Sequence, residues 1–226
     1  IHTYADKIKS PVLYLIIKPS ESEICVQGLK QHPFLGYSTS MDLEHIRKFK
    51  QEHKARRVRH GIIPNRHYRA NLSEKKIFVS AGGFWYHKAM TPLATAFKKA
   101  KIPNAELHLY GYGEKELMPM ENDVVSCFYG KDKEEVLFAI SQADAYIMNS
   151  YEEGFGLVLL ESMMNKTPWY ARHIAGAKDM CYYGTTYNNE EELMEFLRVH
   201  TRNEKKIEDA YNYVMANHTI QDTCND

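Results

Sequence analysis

No apolar run in this 226-residue chain approaches the roughly 18 residues that a membrane-spanning helix needs. Val12 to Ile17 is far too short and stops at Lys18-Pro19. No secretory pattern follows Ile1. Charge bias is lacking as well: 29 Lys and Arg balance 29 Asp and Glu, which gives no argument for nucleic acid as a partner. Cys25, Cys127, Cys181 and Cys224 are scattered without CxxC or Cys/His metal spacing, so they are expected to be reduced thiols of a cytoplasmic protein. No internal repeat or low-complexity run is visible. With 44% hydrophobic and 26% charged residues, the composition is that of a globular chain long enough for one well-filled α/β domain, with or without a fragment of another.

From Lys75 onward, strand and helix patterns alternate, which predicts a parallel sheet covered on both faces. The expected strands are Ile77–Ala81, Leu107–Tyr110, Val124–Tyr129, Ala145–Met148 and Trp169–Ala171. The expected helices are Ala89–Ala100, Lys133–Gln142, Leu157–Lys166, Glu190–His200 and Glu204–Met215. Gly82-Gly83, Gly111-Tyr112-Gly113, Gly130 and Gly154-Phe155-Gly156 each follow an expected strand. Ligands of such sheets bind off the carboxyl ends of the strands, so the four glycine stretches point to one cleft.

The chain is organised around the last of them. Asp144 to Met148 ends at Asn149-Ser150, a loop carries Gly154 and Gly156, and an all-apolar helix follows from Leu157. The glycines open backbone conformations closed to other residues and leave room for a ligand. The free N–H groups of Gly156, Leu157 and Val158 at the helix start, with the helix dipole behind them, make an anion site. Glu153 lies in the loop, and Glu161 lies about 6 Å along the helix axis from its start at 1.5 Å per residue. Carboxylates repel phosphate but accept from sugar hydroxyls, so the pattern suits a nucleotide-sugar. It equally suits an acidic helix start with one solvated glutamate.

The run Asn149-Ser150-Tyr151-Glu152-Glu153-Gly154-Phe155-Gly156-Leu157-Val158-Leu159-Leu160-Glu161-Ser162-Met163 resembles the E-x7-E signature of retaining GT-B glycosyltransferases of the family 4 type. Gly82-Gly83-Phe84-Trp85-Tyr86-His87-Lys88 resembles the G-R-(L/F)-x-x-x-K loop of that family, with Gly83 where the arginine usually stands and Ala89 in place of the following glycine. Gly111-Tyr112-Gly113, Gly130-Lys131 and the stretch Ala171 to Ala177 match further landmarks. The resemblance covers about Gly61 to His200. It implies a Rossmann-like parallel sheet with helices on both faces, and transfer of a hexose from a nucleotide diphosphate sugar to an acceptor hydroxyl with retained configuration.

By the same resemblance, Glu153 and Lys88 are the catalytic residues: Glu153 meets the donor sugar and Lys88 holds the diphosphate. Gly82, Gly83, Gly111, Tyr112, Gly130, Lys131, Gly154, Phe155, Gly156, Leu157 and Val158 line the donor site, and Glu161 binds the ribose. No DxD motif is present, and neither a metal nor another cofactor is expected. His87 and His173 match no catalytic position of the family and are expected to line the cleft or serve the fold.

The first part of the chain is less legible. Val12–Ile17, Phe34–Tyr37 and Val58–Ile63 are expected strands, with a helix over Met41–His53. Residues 1–68 resemble a shortened remnant of the family's N-terminal acceptor domain, with His60 to Tyr68 as the link, and residues 69–226 its donor-binding domain. A shortened acceptor domain implies a homo-oligomer or a partner subunit, or else a nucleotide-sugar-binding module without turnover of its own. Its acceptor would be a glycan, lipid or protein. The basic run from 45 to 59 offers contact with an anionic membrane surface, or is simply a solvated helix face.

Overall fold

A computed structural model describes residues 13–15, 34–64 and 74–225 of the chain. The expected boundary between residues 68 and 69, and residues 65–68 of the link, lie outside the described residues. A small parallel sheet in the order β1-β2-β3 comprises β1 (Leu13–Leu15), β2 (Phe34–Tyr37) and β3 (Ala55–Arg57). Helix α1 (Ser40–Lys48) joins β2 to β3. Its start is fixed by a capping box, in which the Thr39 hydroxyl accepts from the Asp42 N–H and the Asp42 carboxylate accepts from the Thr39 N–H.

Two expectations fail in this segment. The helix stops at Lys48, not His53, because Lys50 takes a positive φ of 56° that no α-helix continues through. The third strand lies over Ala55–Arg57 instead of Val58–Ile63. The Val58 N–H makes the last bond to the Tyr37 carbonyl, and Ile62 bridges to Thr219 near the C-terminal end.

The larger sheet has six parallel strands: β4 (Lys76–Phe84), β5 (Ala105–Gly113), β6 (Val125–Tyr129), β7 (Ala145–Met148), β8 (Trp169–Arg172) and β9 (Thr185–Tyr187). Their order is β6-β5-β4-β7-β8-β9. In the strands' own sequence this is 3-2-1-4-5-6, the order of a dinucleotide-binding fold, so the topological switch lies between β4 and β7. The other α-helices among the described residues are α2 (Met90–Ala100), α3 (Lys133–Gln142), α4 (Leu157–Met164), α5 (Ala175–Asp179), α6 (Glu190–Arg198), α7 (Glu204–Asn217) and α8 (Ile220–Asn225). Asp132, Asn189 and Asn203 cap α3, α6 and α7 by accepting from the third N–H of each helix. Among the described residues no helix is long and apolar enough to cross a membrane.

Alternation along the strands divides the core between the two faces. Phe78 points to one face with Leu93, Phe97, Leu107 and Leu193. Val79 points to the other with Tyr146, Leu159, Met163 and Trp169. The small sheet is held to the large one by Ser40, whose N–H and hydroxyl donate to Asp179 at 2.7 and 2.5 Å. Main-chain bonds from Ile62 N–H to His218 O (2.9 Å) and from Ile220 N–H to Ile62 O (3.1 Å) add to this.

Candidate functional site

The carboxyl ends of β4 and β7 lie side by side at the switch, and each launches a segment across it. From β4, a 3-10 turn over Tyr86–Lys88 leads into α2. From β7, the loop 149–156 leads into α4. The two segments are tied together. The Tyr151 N–H donates to the His87 carbonyl at 2.8 Å, and the Asn149 amide donates to the Ala89 carbonyl at 3.0 Å. Lys88 Nζ reaches Glu153 Oε1 at 2.5 Å, and the Ser150 hydroxyl donates to the same oxygen at 2.9 Å. Both charged side chains are largely shielded from water, so their attraction is screened less than a surface pair's.

Gly156 caps α4 with φ +91°, a conformation that only glycine adopts without strain, and a Cβ there would press on Met148 Sδ at 3.1 Å. Leu157 and Val158 open the helix and present the first-turn N–H groups. Phe155 is buried, its ring 4.8 Å from His60 and 5.9 Å from His218. Burial pushes both imidazoles below their ordinary pKa. Glu161, only 7% exposed, sits one turn into α4 and is bonded by Lys133 of α3.

On the β4 side the geometry departs from expectation. Gly82 and Gly83 do not form a loop. They continue β4, with Gly82 opposite Gly111, Gly83 opposite Tyr112 and Phe84 opposite Gly113. These glycines serve close packing: a Cβ on Gly83 would fall 2.2 Å from the Trp85 ring, and one on Gly111 would fall 2.7 Å from the Phe84 ring. Trp85 folds back over Gly83 and also approaches Gly113, and its ring meets those of His87 and Tyr112 at 5.9 and 5.2 Å. Gly130, at φ +68°, donates to the Gly111 carbonyl at 2.8 Å. Lys131 pairs with Glu135 of α3 at 2.8 Å.

Glu153, Lys88, Ser150 and the start of α4 are thus in one place, with Glu161 one turn deeper. Lys131 lies two strands away beside β6. His173 is set apart at an exposed position, 3.0 Å from the Thr186 hydroxyl. Motif reasoning missed Arg172, which bonds Glu190 and the carbonyls of Asn149 (3.0 Å) and Asn188 (2.9 Å), with its guanidinium 4.8 Å over the Tyr151 ring. It also missed Lys133 and Trp85. Only the position of Lys133 at the first turn of a capped helix could have flagged it.

Comparison with curated proteins gives no match. The family model described as "Glycosyl transferases group 1" matches residues 65–186. Among solved structures, a sucrose-phosphate synthase from Thermosynechococcus elongatus superposes with TM-score 0.81 at 16% identity, over 99% of this chain and 68% of that one. HepE of Anabaena, in complex with UDP and glucose, gives TM-score 0.77 at 14% identity, over 96% and 70%. The pneumococcal O-GlcNAc transferase GtfA, in complex with UDP and GlcNAc, gives 0.68 at 16%, over 90% and 46%. At such identities the structures speak for the fold alone, which is the GT-B type. The family match spans more than half of the chain, and with it the sheet switch, Lys88 and both glutamates. This chain belongs to the glycosyl transferases group 1 family and is a glycosyltransferase.

Proposed function

We propose that the chain binds a nucleotide diphosphate sugar at the switch between β4 and β7 and transfers a hexose, with retained configuration, to an acceptor hydroxyl. The E-x7-E pair of the family 4 type would be Glu153 and Glu161. The observation that carries this reading is the convergence of Lys88, Glu153 and the α4 N-terminus on one spot, with Glu161 buried a turn below. Lys88 has three N–H donors, so it can keep Glu153 and still reach a phosphate oxygen. As the sugar leaves, negative charge grows on the diphosphate, where Lys88 and the N–H groups of Leu157 and Val158 stabilise it. Glu153 orients the sugar hydroxyls. Glu161 spends one oxygen on Lys133 and offers the other to the ribose. No metal enters this scheme, so EDTA should leave turnover unchanged.

A second reading, a nucleotide-sugar-binding module that needs a partner or turns nothing over, is favoured by one observation. Gly83 stands where the resembled motif has a phosphate-binding arginine, and Trp85 covers it.

A thermal-shift series with UDP-, GDP- and ADP-sugars tests binding, since a ligand of the native state raises apparent stability. Glu161→Ala should weaken every nucleotide by about 1.5–3 kcal/mol, the worth of a hydrogen bond to a charged group. Glu153→Ala should spare free nucleotide diphosphates and weaken only the sugar conjugates. If both variants bind all ligands like the parent, the assignment of the site is wrong. Product release with and without acceptor separates transferase from module.

A further inference from the structure

Arg172 does more than end β8. Its side chain is 12% exposed and spends one nitrogen on each of three segments. Nε donates to the Asn149 carbonyl at the start of the β7 loop at 3.0 Å, and Nη1 to the Asn188 carbonyl after β9 at 2.9 Å. Nη2 bonds the carboxylate of Glu190, the first residue of α6. The guanidinium carbon lies 4.8 Å from the centre of the Tyr151 ring, within reach of a cation–π contact. A planar fork with three nitrogens engaged has one orientation, and whatever it bonds is fixed with it.

What it bonds is the chain on both sides of Ser150. Asn149 and Tyr151 flank that residue, and the Ser150 hydroxyl donates to Glu153. Asn149, only 1% exposed, carries the network onward through its side chain. Its amide nitrogen donates to Glu190 at 3.2 Å and to the Ala89 carbonyl at 3.0 Å, and its amide oxygen accepts from the Tyr187 hydroxyl at 2.8 Å. Ala89 directly follows Lys88. The network thus ends one residue from Ser150 on the β7 segment and one residue from Lys88 on the β4 segment. None of the three bonds of Arg172 goes to Lys88 or Glu153 itself.

A desolvated ion pair is a poor way to stabilise a fold, because taking two charges out of water costs about what their attraction returns. An apolar pair of similar volume would hold β8 to α6 as well. What the guanidinium adds is direction. A misplacement of about 1 Å at a reacting group costs up to about 100-fold in rate, so bonds that fix the loop around Ser150 bear on the chemistry. We propose that Arg172 is a positioning residue of the site: through the Asn149 carbonyl and the Tyr151 ring it holds the β7 loop so that Glu153 meets the donor sugar. The proposal rests on the donor reading for what Glu153 meets, but not for the placing of the loop.

Arg172→Lys keeps a charge opposite Glu190 but cannot bond three segments from one plane. Hydrogen exchange on the unliganded chain tests the placing. The Tyr151 amide, which donates to the His87 carbonyl, should exchange about tenfold faster than in the parent, with the amides of β7 and α4 unchanged. Arg202→Lys, at an arginine that bonds Glu204 and the Lys166 carbonyl, should leave the Tyr151 amide as it is. Titration with UDP-glucose, GDP-mannose and ADP-glucose, beside UDP, GDP and ADP, tests the consequence. For a conjugate that binds the parent, Arg172→Lys should lower affinity about tenfold while the free nucleotide stays within about twofold. In a Glu153→Ala background the substitution should no longer change that ratio, because the contact it serves is gone. Melting curves check folding. Should Arg172→Lys not fold, Glu190→Gln, which loosens one arm of the fork, should give the same pattern at about threefold. A Tyr151 amide as protected as the parent's overturns the proposal. So do equal losses for conjugate and nucleotide, or an effect that persists without Glu153 and makes Arg172 a sugar contact of its own. If no nucleotide sugar binds the parent, the donor reading falls, and the exchange result alone decides whether Arg172 places the loop.

Discussion

The two segments that cross the switch look alike in sequence, each with a strand, paired glycines, an aromatic residue and a charged residue before a helix. They are built on opposite principles. In the β7 segment, glycine supplies a backbone conformation: Gly156 has φ +91° and starts α4, and Phe155 is buried between His60 and His218. In the β4 segment, glycine supplies space: Gly82 and Gly83 are ordinary strand residues, and the missing side chain of Gly83 lets the Trp85 ring fold over the strand, as that of Gly111 in β5 makes room for the Phe84 ring. The one left-handed residue there is Ala89, at φ +50°. The β7 segment is therefore an anchored scaffold, and the β4 segment is a covered, partly exposed surface.

The strongest test of that contrast compares the two aromatics. Phe155→Ala removes a buried ring and should cost about 3–5 kcal/mol, the usual range for a core phenylalanine. It should also loosen residues 60–62 from the main sheet. Trp85→Ala should cost clearly less, because its ring remains partly in water. Chemical denaturation of both variants checks this, and equal losses would mean that the two segments are anchored alike.

Next in size is Gly83→Arg. The resembled motif suggests that an arginine here would tighten diphosphate binding. With a Cβ only 2.2 Å from the Trp85 ring, the ring must first swing off Gly83 and Gly113. Overpacking of this kind costs about 1–3 kcal/mol, so the single variant should melt lower. In Gly83→Arg/Trp85→Leu the clash is relieved, and UDP should bind more tightly and with more salt sensitivity than to Trp85→Leu alone. An unchanged melting temperature in the single variant would place Trp85 elsewhere.

A smaller effect follows from the clamp on Phe155. Burial holds His60 and His218 below the 6.5 of a free histidine, so the unfolded chain takes up protons first as the pH falls. Stability should decline from about pH 6.5 down to the lowered folded values and level off below them. His200, lowered by the same cause on the other side of the sheet, adds to the slope. His60→Gln/His218→Gln should flatten the Tm-against-pH curve between pH 7 and 5. A slope as steep as the parent's would show that His200 or other groups carry it.

Sequence patterns located the β7 segment far better than the β4 segment, for a physical reason. Ala145–Met148, Lys133–Gln142 and the start of α4 at Leu157 are where the patterns put them, because an apolar run, a capping box and a glycine N-cap are local signals. Gly82-Gly83 reads locally as a turn and is a strand only because β5 lies beside it with matching register. β9 (Thr185–Tyr187) and the short α5 have no periodicity of their own and were not expected; β9 exists through its pairing with β8. Motif spacing put Lys88, Glu153 and the helix start at Leu157 in one cleft, and they lie together at the ends of β4 and β7. The cover over Gly83 and the Arg172 network arise between distant residues, and no local pattern encodes them.

The smallest expected effect is a near-cancellation. Ala89 sits in the left-handed region at φ +50°, where an L-residue with a Cβ pays roughly 1 kcal/mol relative to glycine. It cannot relax, because its carbonyl accepts from Asn149 Nδ2 at 3.0 Å, its N–H donates to Tyr86 at 3.1 Å, and its side chain is buried. Ala89→Gly should relieve that strain and lose only one buried methyl, worth about 0.8 kcal/mol, so the two terms nearly cancel. The unfolded chain also gains freedom with glycine, by about 0.4–1 kcal/mol, which opposes the gain. A net change within about 1 kcal/mol of zero is therefore expected in denaturant melts, in contrast to Gly156→Ala in the other segment. There the same strain is introduced instead of removed, a methyl is pressed to 3.1 Å from Met148 Sδ, and stability must fall. If Ala89→Gly and Gly156→Ala shift stability equally, glycine is doing the same job in both segments and the distinction between conformation and space is lost.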